Sequence, residues 1–300
     1  MKIASEIRRL KKEQNCVIFA HNYQPREIFE IADEVGDSFE LARVATNISA
    51  EKVIFAGVKF MAEMVKILDP AKRVFLPDLN SICPMAAMFN RTKFEKLKSE
   101  NPRAAVVGYV NTTAETKTFC DACITSANAV RVCEKLPADE IIFLPDENLA
   151  KFVQSKIPRK KIIPFPGFCP IHCKFDRQNF SAKIAENPNA PVLIHPEMPP
   201  EFWKFATEVT STGGILKFVK NSSAPIFLIG TEDRMCERLK LEFPTKKFIP
   251  LLNSVCDGMA ANSPEKILSV LQTGKNEIVL PEKILNTAKA PLEKMLELSR

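Results

Sequence analysis

The chain has 300 residues, 46% hydrophobic and 26% charged, the balance of a globular protein with a sizeable core. A formal charge of +6 suits an anionic small molecule in a basic cleft and falls short of the clustered basic stripe that nucleic acid requires. No apolar run nears the ~20 residues that cross a bilayer, and the start, Met1 to Leu10, is charged and amphipathic rather than signal-like. No nucleic-acid or membrane partner is therefore expected, and the expected location is cytoplasmic. In that reducing compartment nine cysteines point to metal binding or catalysis before disulfides.

In chain order, the apolar periodicity predicts a helix over 7–13, a strand over 17–23, a helix over 39–48 and strands at 53–57 and 74–76. The same series follows twice more. A polar helix ending in Glu100-Asn101-Pro102 precedes strands at 105–111, 141–145 and 162–165, with a helix over 127–136. A second, ending in Glu186-Asn187-Pro188, precedes strands at 192–197, 226–230 and 248–251. Beyond lie a helix over 264–272, a short run at 278–280 and a last helix over 281–298. Continuous apolar runs alternating with helices argue for parallel sheets covered on both faces. The expected architecture is α/β, in three similar αβα modules at 1–87, 88–174 and 175–258. Each has a short parallel sheet of three strands, and the modules surround a central site with pseudo-threefold symmetry. Residues 259–300 are expected to pack back onto the first module.

The third strand of each module leads through a turn to a cysteine: Cys83, Cys169 and Cys256, spaced 86 and 87 residues apart. Ligands of open α/β sheets bind beyond the carboxyl ends of the strands. There the first strands end in His21-Asn22-Tyr23, Tyr109-Val110-Asn111 and His195-Pro196-Glu197. Residues i and i+2 of an extended segment face the same way, so each ending presents two polar groups together. Seventeen residues after His21, Tyr109 and His195 come Ser38, Ser126 and Thr212, preceded by Asp37, Thr125 and Ser211. These are helix-start residue types, and three helix N-termini aimed at one point would receive carboxylate or phosphate.

Three cysteines, one per module, would leave one iron of a [4Fe–4S] cluster free to bind substrate, whereas structural zinc prefers a closed set of four ligands. Glu197, beside His195, is the leading acid–base candidate, and Tyr23 and Tyr109 are the only tyrosines in the chain. Cys16, Cys133 and Cys236 read as core fillers, and Cys120 and Cys123 as a small buried pair off the repeat. Cys173 is ambiguous, and its neighbour His172 reads as a substrate contact before a ligand. No G-x-G-x-x-G or G-x-x-x-x-G-K-[ST] occurs, which leaves nucleotide binding by those routes unsupported.

Together the segments Ala20-His21-Asn22-Tyr23-Gln24, Gly36-Asp37-Ser38, Phe60-Met61-Ala62-Glu63, Cys83-Pro84-Met85, Tyr109-Val110-Asn111, Thr125-Ser126-Ala127-Asn128, Cys169-Pro170-Ile171-His172, His195-Pro196-Glu197 and Ser211-Thr212-Gly213 resemble the quinolinate synthases, iron–sulfur enzymes of NAD biosynthesis. The resemblance covers nearly the whole chain. It implies three pseudo-threefold domains around a [4Fe–4S] cluster on Cys83, Cys169 and Cys256. It also implies condensation of iminoaspartate with dihydroxyacetone phosphate to quinolinate, with loss of phosphate and two waters. By the same resemblance, Tyr23, Tyr109 and Glu197 move protons, and His21, Ser38, Asn111, Ser126, His195, Ser211 and Thr212 bind the substrate carboxylates or phosphate; Asp37, His172, Tyr109 and Glu197 are expected to contact substrate as well. An aspartate oxidase or dehydrogenase would supply the imine. Two other readings compete: a diphthamide-synthesis-type cluster enzyme of the same three-domain plan that cleaves S-adenosylmethionine, and, from another class, an iron–sulfur sensor without turnover. The first would need more apolar volume, and the second would have no use for matched polar pairs.

Overall fold

The computed structural model describes residues 2–300. In the first module β1 (Cys16–His21), β2 (Glu34–Gly36), β3 (Lys52–Ala56) and β4 (Arg73–Phe75) form a sheet in the order β2-β1-β3-β4. The second sheet repeats this order with β5 (Ala105–Tyr109), β6 (Ala122–Ile124), β7 (Glu140–Leu144) and β8 (Lys161–Pro164), as β6-β5-β7-β8. The third does so with β9 (Val192–Ile194), β10 (Glu208–Val209), β11 (Ile226–Gly230) and β12 (Lys247–Pro250), as β10-β9-β11-β12. Every pairing within these sheets is parallel, and the connecting helices flank the sheets.

Each sheet thus has one strand more than the three expected. The additional strands β2, β6 and β10 are only two or three residues long. Side chains fix them instead. Just before each, one side chain accepts a backbone N–H of the first strand: Asp33 from Ile18 at 2.7 Å, Asp121 from Val106 at 2.7 Å and Thr207 from Val192 at 3.0 Å. The resulting register sets His21 beside Gly36, Tyr109 beside Ile124 and Ile194 beside Val209. This lays the segment that follows each short strand alongside the end of the first strand. The seventeen-residue spacing is the length of that excursion.

The period of two along the strands divides their side chains between two cores. Phe19, Val107, Phe143, Leu193, Phe227 and Ile229 enter one large core shared by all three sheets. Their neighbours Ile18, Ile142 and Leu228 enter three smaller cores, one on the far face of each sheet. Phe143 and Phe227 are fully buried, and truncating either to alanine would cost about 3–5 kcal/mol by loss of contacts and cavity formation. The inner faces therefore meet, and the strand ends of three modules are brought to one place.

After Cys256 the helix Pro264–Thr273 packs on the N-terminal helix Lys2–Glu13, and Glu277 forms an antiparallel bridge to Phe75. The last helix, Glu282–Leu298, goes further than the first module. It rests on the helix Lys59–Leu68 and also on β6 and the helix Ala114–Lys117, with Ala288, Leu292 and Met295 in the shared core. No helix among the described residues is long and apolar enough to cross a membrane.

Candidate active site

The first strand of each sheet ends in a tight turn rather than continuing extended. The N–H of Gln24 returns to the carbonyl of His21 at 3.0 Å, and that of Met198 to His195 at 3.0 Å. In the second module the Thr112 hydroxyl takes this part, donating to the Tyr109 carbonyl at 2.9 Å. The six expected residues (His21, Tyr23, Tyr109, Asn111, His195 and Glu197) do face a common cavity, but a turn places them there, not strand alternation. Inside the turns the histidine Nδ1 accepts the N–H two residues on, from Tyr23 at 3.2 Å and from Glu197 at 3.4 Å. That assigns the proton to Nε2, which in His195 lies 3.2 Å from the Ser126 hydroxyl. Burial drives both imidazoles down to about 3. For His21 nearby His195 adds to the effect and Glu197 opposes it; for His195 Glu197 opposes and His172 adds. Both rings are therefore neutral donors at pH 7.

Glu197 is the hub of the polar wall. Its Oε1 accepts the Tyr109 hydroxyl at 2.6 Å, and its Oε2 lies 2.9 Å from His172 Nδ1. Burial alone would raise its pKa, but His195 and His172, with the hydrogen bonds from His172 and Tyr109, hold it below the usual carboxylate range. His172 Nε2 is 2.8 Å from the Thr231 hydroxyl, which is 2.6 Å from the Tyr23 hydroxyl. One unbroken line, Tyr23–Thr231–His172–Glu197–Tyr109, so runs through all three modules. Burial, and after it the charge of Glu197, pushes both phenols well above their ordinary value, so they stay protonated.

The helix starts are less uniform than the spacing predicts. Asp37 caps the helix Ser38–Ala45 through a capping box with Glu40, and Ser211 caps Thr212–Asn221 by accepting the N–H of Gly214 at 3.1 Å. Burial, then Glu40, raises Asp37 to about 6. In the second module the helix begins later, at Ala129, and Ser126 sits in a turn held by Asn128, whose Oδ1 accepts the N–H of Thr125 at 2.6 Å. Asp37, Ser38, Ser126 and Thr212 line the cavity; Ser211 does not, and lies in an outer groove next to Asp37. The buried Oδ1 of Asn111 has no hydrogen-bond partner among the described residues. An unpaired buried acceptor at a cavity wall fits a ligand that brings its own donor.

Cys83, Cys169 and Cys256, each following the last strand of its sheet, line this cavity; the other cysteines do not. All nine are free thiols. Burial pushes Cys83 up to about 12, Cys169 well above its ordinary value and Cys256 upward, so a bare thiolate there is costly without a cation. The tightest potential metal set is different: the ligand atoms of Cys169, His172 and Glu197 lie within 4.8 Å of one another. Cys83 and Cys256 line the same cavity without belonging to that set. Cys173 turns away, its sulfur 3.3 Å from Asn148 Nδ2. Cys123 is fully buried on β6, and the Cys120 sulfur packs where a side chain on Gly108 would sit.

Thr231, Glu232, Asp146, Asn22 and Asn148 were not singled out by sequence reasoning. Asn22 Nδ2 donates to the Thr212 hydroxyl at 3.2 Å, and Asn148 Nδ2 to the Glu197 carbonyl at 3.0 Å. For Asp146 and Glu232 a signal was present. They occupy the same place, two residues beyond the ends of β7 and β11, and comparing the second strands of the repeat would have found them.

A profile described as quinolinate synthetase A protein matches residues 5–297. The chain is 44% identical over 297 residues to a quinolinate synthase of Thermotoga maritima, covering 99% of both chains. It is 43% identical over 300 residues to one of Pyrococcus furiosus, covering 99% of this chain and 98% of the relative. It is 44% identical over 294 residues to one of Alkaliphilus metalliredigens, covering 98% and 97% respectively. With full-length identity at this level, and a cavity built from the residues that carried the resemblance, the chain belongs to the quinolinate synthetase A family.

Proposed function

We propose that this enzyme condenses iminoaspartate with dihydroxyacetone phosphate to form quinolinate, phosphate and two waters, with a [4Fe–4S] cluster held by Cys83, Cys169 and Cys256. The observation that carries the reading is the convergence of three cysteines, one from each sheet, on the cavity that also holds the Tyr109–Glu197–His172 contacts. When bound, the cluster supplies a Lewis-acidic iron with one coordination position free of protein. Glu197, held as a carboxylate, accepts protons from the condensing carbon skeleton, and Tyr109 and Tyr23, held protonated, return them to departing oxygen. Neutral His21 and His195, with Ser38, Ser126 and Thr212, donate to the substrate carboxylates and phosphate. Asn111 offers its free carbonyl oxygen. Asp37 and Ser211 hold the helix starts that present Ser38 and Thr212.

The units we assign are 1–87 with 259–300, 88–174 and 175–258, supported by the one sheet in each. An imine-forming aspartate oxidase or dehydrogenase is the implied supplier, because iminoaspartate hydrolyses in water. A reducing cytoplasm suits nine free thiols. Crowding of so many polar side chains around one cavity favours a small dicarboxylate over S-adenosylmethionine or a sensor without turnover.

Protein reconstituted without oxygen should make quinolinate from the two substrates. Cys83→Ala, Cys169→Ala and Cys256→Ala should each abolish the cluster absorption, and Cys133→Ala and Cys236→Ala should spare it. Full iron and sulfide loading with no quinolinate formed would sink the reaction, and equal loss in both cysteine groups would sink the ligand set.

A further inference from the structure

The three cysteine loops are fastened alike at one point and differently at another. Two residues before each cysteine, a carbonyl accepts the backbone N–H three residues beyond the end of β3, β7 or β11: Ser81 from Lys59 at 2.8 Å, Gly167 from Glu147 at 2.8 Å and Ser254 from Asp233 at 3.0 Å. The residues just before those donors are Val58, Asp146 and Glu232. Asp146 and Glu232 are both fully buried. Asp146 Oδ2 accepts the backbone N–H of Cys169 at 3.2 Å, and Glu232 Oε1 that of Cys256 at 3.0 Å. The second oxygen of each is pinned to the start of the following helix, by the N–H of Leu149 at 2.6 Å and of Arg234 at 2.8 Å. The Val58 side chain can accept nothing. The first loop is tied instead by the Ser81 hydroxyl, 2.6 Å from the Gly57 carbonyl, and by Asn262 Nδ2, 3.0 Å from the same oxygen.

We propose that Asp146 and Glu232 are positioning residues for the metal site, each clamping the main chain of the cysteine ligand in its own module, and that Cys83 is held without such a clamp. A sulfur can be directed only as well as the main chain that carries it. An N–H fixed to a buried carboxylate whose other oxygen is anchored elsewhere removes the hinge at that residue. Both oxygens are used, so an amide cannot substitute: its single acceptor satisfies one N–H and leaves the other facing an NH₂ group.

The inference rests on the cluster reading above, and its test separates the two. Iron and sulfide per chain, and the rate of iron release to a chelator, are measured for wild type, Asp146→Asn and Glu232→Gln. Asp176→Asn serves as control, because Asp176 caps the helix Arg177–Glu186 and does not line the cavity. In parallel, amide hydrogen exchange is followed on the four metal-free proteins. Iron should leave the two clamp variants about 10–100-fold faster than wild type, the usual cost of losing a partner behind a metal ligand, and leave the control at the wild-type rate. Exchange should quicken in the segment carrying Cys169 for Asp146→Asn and in that carrying Cys256 for Glu232→Gln, with the Cys83 segment unchanged in both. Wild-type release together with unchanged exchange overturns the proposal, as does equal loosening in the control. The sites are independent, so a variant that fails to fold leaves the other to decide. A wild type that takes up no iron and sulfide defeats the cluster reading alone, and the exchange measurement still judges the clamps.

Discussion

The strand-end turns of the first and third modules share a backbone and differ in chemistry. In both, a histidine ends or follows the first strand, its carbonyl receives the N–H three residues on, and its Nδ1 receives the N–H two residues on. The side chain at that second position is Tyr23 in one and Glu197 in the other. Tyr23 meets a hydroxyl, Thr231, at 2.6 Å, whereas Glu197 meets both His172 and Tyr109. The repeated turn is thus a holder that twice delivers a neutral imidazole. The acid–base character of each module comes from the residue two places later and from the partners the other modules bring to it.

The sharpest break in this comparison is at Glu197. Glu197→Gln retains one acceptor oxygen for two donors, and kcat should fall by about 10³-fold, within the range of a lost acid–base group, while iron content stays at the wild-type level. A variant that turns over normally would reduce module three to a copy of module one. Next come the shared histidines. Their folded values near 3 lie below the ordinary 6.5, so the unfolded chain takes up protons first as pH falls. The stability each contributes is complete above about pH 6.5 and is lost as pH drops toward 3. At pH 5 the loss should be about 2 kcal/mol per histidine. Thermal midpoints of metal-free protein at pH 7 and pH 5 measure it, and His21→Gln and His195→Gln should each flatten the slope by a similar amount. Unequal flattening would show that the two turns are not equivalent. The smallest effect is expected at the bridge that joins them. Thr231→Val removes the hydroxyl between Tyr23 and His172, and kcat should drop about tenfold, the worth of one or two hydrogen bonds, with Thr231→Ser restoring it. No change would mean that Tyr23 works without the line to Glu197.

What the chain disclosed on reading follows from range. Nine of the twelve strands, the recurring Glu-Asn-Pro stops and the cysteines 86 and 87 residues apart are local or periodic features, visible without knowing which sheet meets which. The two- and three-residue strands β2, β6 and β10 were not visible, because their pairing depends on Asp33, Asp121 and Thr207 reaching back fifteen residues to the first strand. Ser126 was expected to begin a helix from its spacing, but the Asn128 side chain claims the Thr125 N–H and delays the start to Ala129. Ser211 was grouped with Thr212 and turned out to cap the helix from outside the cavity.

By itself the sequence determined the αβα modules, the threefold recurrence and the residue types at the strand ends, because hydrophobic period and turn composition are encoded within a few residues of one another. Only the tertiary structure decided which oxygens meet which hydrogens: Tyr109 with Glu197 across 88 residues, Tyr23 with Thr231 across 208, and the last helix against β6 as well as the first module. Such contacts arise where the inner faces of three sheets bury one another. Their partners are set by that shared packing, which no single stretch of chain contains.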